Sequence, residues 1–165
     1  GNLFACPYSG EEELLLFLRS LNRRLVPKGV RVVPMKIFGS NKVLLYIYRP
    51  SRLEQDFAER DVARLLTGYG YSVDKPEKCV VELSQRMHGS DTFPHEVGLF
   101  LSYPLEDVRG FINNPQEGCK CTGYWKVYGD EEKAIRQFQA YRKCTNLYCA
   151  RAAEGRSIEQ LTVAG

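Results

Sequence analysis

The sequence lacks any apolar run long enough to cross a bilayer. An unbroken stretch such as Leu14 to Leu18 falls far short of the roughly 18 residues a span needs. It lacks a basic segment followed by an apolar one near its start, so no secretory leader is expected. It has no glycine pattern of the Walker or Rossmann type, which weighs against a nucleotide-phosphate cradle. It has no repeat, no low-complexity tract and no linker that would divide it. It also lacks a marked excess of one charge. Lys and Arg number 23 against 20 Asp and Glu, and the basic residues are scattered among acids, so a nucleic-acid interface is disfavoured.

What is present suffices for one domain. The 165 residues are 44% hydrophobic, and a chain of this size buries most of its unfolded surface without staples. The six cysteines are therefore not needed as disulfides, and a reducing, cytoplasmic setting is expected.

Helix signals come first. Ser9-Gly-Glu-Glu12 reads as a capping box, followed by Leu14, Leu18, Leu21 and Leu25 at helical spacing. Val30 to Phe38 and Lys42 to Arg49 read as a hairpin around Gly39 to Asn41, with Pro34 marking an edge strand or a bulge. Ser51-Arg-Leu-Glu54 opens a helix expected to run to about Thr67. A third helix follows Asp74, with Val80, Leu83 and Met87 on one face and Cys79 in the core. Val97 to Tyr103 reads as a short buried strand, and Pro104 starts a helix with Glu106 and Asp107 in its first turn. Gly123 to Tyr128 is the last strand. Asp130 caps a long helix carrying Ala134, Phe138, Tyr141, Thr145 and Tyr148 in one stripe. Ser157 and Gln160 form a capping box of a short docking helix. The expected fold is α+β: one mixed sheet of about four strands covered by about five helices, residues 1–165 forming a single globular domain.

Several phrases go beyond generic patterning: FPHEVGLFLSYPLEDVRGFI (93–112), GYWKVYGD (123–130), LLYIYR (44–49) and GRSIEQLTV (155–163). With them the chain resembles, over nearly its whole length, a family of uncharacterised bacterial proteins frequent in clostridial-type anaerobes. That family carries only a domain-of-unknown-function label. The resemblance implies a bacterial cytosolic protein and brings no catalytic residues. It also implies an upstream segment with a His-Cys-Ala-Pro-Thr-like phrase, just before the region matched by Asn2-Leu-Phe, so a natural N-terminal segment is expected to be missing. The family phrase commonly has Gly where this chain has Ser102.

Three chemistries remain open. A metal or cluster site would use Cys119 and Cys121 with Cys144. Cys149 adds little, because five helical residues turn it about 140° away from Cys144 with about 7.5 Å of rise. No metal site is favoured and no cofactor is expected; a Cys119–Cys121 redox pair is a further alternative. His95 is the one weak catalytic candidate, as the general base of a Cys/His-dependent hydrolase or transferase. The adjacent Glu96 would point to the opposite face of a strand. His88 reads as a partner for a helix C-terminus. The leading expectation is a non-enzymatic accessory domain binding a small molecule or a protein. Its surface would comprise Arg49, His95, Tyr103, Tyr124, Trp125 and Lys126, away from any membrane.

Overall fold

Leucines recurring every third or fourth residue bury one side of a helix, and the first helix is built that way. The computed structural model describes residues 1–39, 41–89 and 92–164. Helix α1 (Glu11–Leu25) buries Leu14, Leu18, Leu21 and Leu25 and ends in a 3₁₀ turn closed by Gly29 at φ 73°. Its cap is Gly10 with no side-chain bond, so the expected Ser9 box does not form.

The chain divides into two compact units, residues 1–102 and 103–164. In the first unit, strands β1 (Asn2–Pro7), β2 (Arg31–Phe38) and β3 (Lys42–Tyr48) form an antiparallel sheet in the order β1-β3-β2. β3 is central and buried on both faces. Val43 and Leu45 join the leucines of α1, while Leu44, Tyr46 and Tyr48 alternate to the other side. β2 is an edge strand whose register slips between Pro34 and Lys36, so Pro34 marks both an edge and a bulge. Asn22 of α1 covers that edge: its amide donates to Val32 O at 2.7 Å and its oxygen accepts from Val32 N at 2.9 Å.

Three helices complete this unit before its last turn. The single helix expected from Ser51 to Thr67 is two, α2 (Pro50–Ala58) and α3 (Arg60–Gly68), broken where Glu59 takes ψ 122°. Neither start carries a side-chain cap bond, so the Ser51 box is absent too. Helix α4 (Pro76–Gly89) buries Cys79, Val80, Leu83 and Met87, and His88 Nδ1 lies 2.8 Å from Ser84 O at its end. The expected strand at Val97 is instead a short buried helix, α5 (Val97–Phe100). Phe100 packs edge-on against Phe57, and its carbonyl accepts from the Tyr46 hydroxyl at 2.5 Å.

The second unit starts with α6 (Leu105–Asn113). The expected strand from Gly123 to Tyr128 is only half of a small hairpin, β4 (Cys121–Thr122) with β5 (Lys126–Val127). Helix α7 (Glu131–Ala153) is capped by Asp130, which accepts from Lys133 N, and α8 (Ile158–Leu161) carries the full Ser157–Gln160 capping box. The fold is thus α+β, with a three-stranded and a two-stranded antiparallel sheet in place of one four-stranded mixed sheet. No helix of the described residues is long and apolar enough to cross a membrane.

Candidate functional site

In the first unit, Tyr46, Tyr48, Arg49, Arg52, Leu53 and Ser102 help line a cleft of about 250 Å³. Tyr46 and Tyr48 are two apart on β3, so their rings share a face and stack at 4.8 Å. Burial raises the pKa of both hydroxyls. Arg49 donates to Lys28 O at 2.9 Å, and Arg52 pairs with Asp56 at 3.1 Å. Asp56 also accepts from Ser102 Oγ at 2.6 Å. Ser102 sits at φ 61°, a left-handed conformation that favours glycine, and its hydroxyl bond to Asp56 offsets that strain. The two arginines are therefore tied into the wall.

His95 belongs to the same unit and lies exposed in the turn before α5. Glu96 turns inward and is 5% exposed; it accepts from the Tyr71 hydroxyl at 2.9 Å. The Arg86 guanidinium stacks on the Tyr71 ring. The two side chains part because the chain turns there, not because they alternate on a strand as expected. The inward bond of Glu96 to Tyr71 was not legible in the sequence, because nothing in the local pattern joins residues 25 apart.

In the second unit, Asp107 organises an aromatic cluster. It is 3% exposed, and its two oxygens accept three bonds: Oδ2 from Trp125 Nε1 at 2.7 Å, and Oδ1 from the amides of Tyr128 (2.7 Å) and Gly129 (2.8 Å). Three donors on one buried carboxylate satisfy its charge without a cation. They also fix the indole, which stacks with Tyr103 at 4.6 Å and meets the Phe138 ring edge-on at 4.6 Å. Gly123 is required there, since a Cβ would run into the Phe138 ring. Tyr124 turns outward and meets Tyr141 of α7 edge-on at 5.3 Å. Lys126 is bound inward, donating to Pro115 O at 2.8 Å beneath the Phe111 ring.

Of the residues expected to form a surface, Tyr103, Tyr124 and Trp125 come together, with Trp125 as the buried support. Tyr141 joins them, and was read from sequence only as part of a helix stripe. That stripe is buried as far as Phe138. Beyond it residues 139–160 are all exposed, Tyr141, Leu147 and Tyr148 included. At its end Leu147, Tyr148, Arg151, Arg156, Gln160 and Leu161 line a groove of about 340 Å³.

The cysteines do not converge. All six are free thiols, and α7 runs unbroken past the exposed Cys144 and Cys149. Cys119 Sγ donates to Cys121 O at 3.3 Å. Among the described residues no three His, Cys, Asp or Glu side chains are grouped to hold a metal ion. Burial, ahead of the nearby Glu82 carboxylate, pushes the Cys79 thiol up to about 11. Cys121 is also raised, by lost solvation and then by Glu131.

Residues 1–162 match the model of a family described as a protein of unknown function, DUF3793, and the chain belongs to that family. No curated protein and no solved structure matches it.

Proposed function

We propose that this member of the DUF3793 family is a non-enzymatic accessory domain that binds a protein partner, and that the partner contacts the second unit along α7. The observation that carries the reading is the exposure of residues 139–153 on a helix whose apolar stripe continues past its own core. A helical segment that buries little of its apolar face is marginal in water, since most helix stability in proteins comes from burying that face. Tyr141, held by Tyr124 and by the Gln137 amide at 2.6 Å, gives the stripe a fixed root. Tyrosines presented rigidly on a surface are favourable anchors for a partner.

Two rival chemistries are less well supported. A small anion entering the first-unit cleft would compete with Asp56 for the Arg52 charge and would meet an Arg49 already oriented by the Lys28 carbonyl. A Cys/His-dependent hydrolase needs a thiolate with a lowered pKa, and Cys79 and Cys121 are shifted the other way.

The test is site-specific photo-crosslinking in the cell. A photoreactive amino acid at Leu147 should give one discrete heteromeric adduct, and the same group at Arg19 on α1 should not. No adduct from position 147 would refute the reading.

A further inference from the structure

The chemistry of the α7 limb narrows the partner class, an inference that rests on the reading above. α7 ends at Ala153, and Gly155 at φ 84° turns the chain so that α8 lies alongside. The capping box fixes that return. Ser157 N donates to the Gln160 side chain at 3.0 Å, and Gln160 N donates to Ser157 Oγ at 3.3 Å. The groove lies between the two helices, with Leu147, Tyr148 and Arg151 on α7 and Gln160 and Leu161 on α8.

Its lining is apolar and basic. Leu147, Tyr148 and Leu161 supply the apolar wall, Arg151 and Arg156 the charge, and no carboxylate lines it. Residues 139–160 hold four basic side chains, Arg142, Lys143, Arg151 and Arg156, against two acidic ones, Glu154 and Glu159. Glu154 pairs with Arg151 at 2.9 Å, while Arg142, Lys143 and Arg156 make no ion pair among the described residues. On the helix Arg142 and Arg151 flank the Tyr141–Tyr148 stripe on opposite sides, each roughly 60–120° from it.

We infer that this groove and stripe take an acidic amphipathic segment of a partner protein, its apolar side chains between Leu147 and Leu161 and its carboxylates toward Arg156, Arg151 being already paired with Glu154. Charge complementarity selects this occupant over others. A second copy of the chain, paired antiparallel, would set these basic residues against each other. A single-stranded nucleic acid would find in the groove one stacking ring, Tyr148, beside two leucines that offer a base nothing specific, and the next exposed ring of the stripe, Tyr141, lies outside the groove and is already met edge-on by Tyr124.

The experiment uses the whole chain and a fluorescein-labelled peptide of Glu and Leu at helical spacing, read by anisotropy and by hydrogen exchange over 139–161. Comparison probes are the same peptide in scrambled order, a Lys/Leu peptide, oligothymidylate and phosphatidylglycerol vesicles. The Glu/Leu peptide should bind best, more weakly as salt rises, and protect 139–161. Arg156→Glu should weaken it roughly threefold or more, and Arg19→Glu on α1 should not. Leu161→Asp should abolish the advantage over the scrambled peptide. The inference is overturned by no binding of the Glu/Leu peptide, by equal binding of the Lys/Leu or scrambled peptide, or by indifference to Arg156→Glu. Tighter binding of oligothymidylate or vesicles, with protection over 139–161, overturns the acidic-peptide class but leaves α7 as the contact surface. A silent crosslinker at Leu147 removes both.

Discussion

Replacing Asp107 by Asn tests how the aromatic cluster of the second unit is held. The carboxylate accepts from two backbone amides through Oδ1 and from the indole through Oδ2. An amide keeps one oxygen. Placed at Oδ1 it still serves Tyr128 and Gly129, and its NH₂ then faces the Trp125 N–H, donor against donor. One bond to a charged acceptor, about 1.5–3 kcal/mol, is lost, and a buried N–H is stranded at a further 1–3 kcal/mol or so. Partial relaxation sets the expected cost at about 2–4 kcal/mol, a large share of a small protein's stability. Trp125 is the only tryptophan, so its fluorescence reports on this site directly. With a urea slope of about 2 kcal/mol per M, the middle of the usual range, the midpoint should fall by about 1–2 M. Asp107→Ala, which strands all three donors, should fall further. In a Trp125→Phe background, followed by circular dichroism, Asp107→Asn should cost less, because the opposing donor is gone. An unchanged midpoint in Asp107→Asn would refute this account of the node.

The Ser102 turn gives a second test. Left-handed backbone costs a non-glycine residue about 1–2 kcal/mol, and the hydroxyl bond to Asp56 returns a similar amount. Ser102→Gly should leave the melting temperature nearly unchanged, while Ser102→Ala, which keeps the strain and loses the bond, should lower it; equal melting of the two variants would contradict this. Thiol titration should find Cys144 and Cys149 fast and Cys79 reactive only on unfolding. A single thiol labelling fast below neutral pH would instead revive the Cys/His enzyme. Burial raises the pKa of Tyr46 and Tyr71 above the ordinary value of 10, so the folded state favours their protonated form. That stability is fully present below pH 10 and is lost as pH rises beyond it, so the melting temperature should drop steeply on the alkaline side, and a flat profile to about pH 11 would contradict it.

How much of this was legible depends on the element. The stripes of α1, α4 and early α7 are strongly periodic and were read correctly, as were the hairpin, the Pro34 bulge and the Ser157 box. Strand β1 was missed because it is mostly exposed on both faces, and an edge strand without alternation carries no period-two signal. The apolar run at Val97 was read as a strand, since a short buried run has the same composition in either state. The break at Glu59 did leave a trace. Leu53 and Phe57, then Val62 and Leu66, are each four apart, but Phe57 and Val62 are five apart, which one continuous helix would place on different sides. Asp107 looked like a helix-dipole residue, and its bonds to Trp125, Tyr128 and Gly129 span 18 to 22 residues. Arg49 and Lys126 looked available for a ligand; the carbonyls of Lys28 and Pro115 that hold them carry no signature in sequence.

The central claim is that the far end of α7 waits for a partner, and hydrogen exchange along that helix in the isolated protein tests it most directly. Amides of 134–138, around the buried Ala134 and Phe138, should be protected, and those of 139–153 should exchange far faster, because opening an unpacked helix end costs little. Uniform protection along α7 would mean that its exposed half needs nothing to cover it, and would contradict the claim.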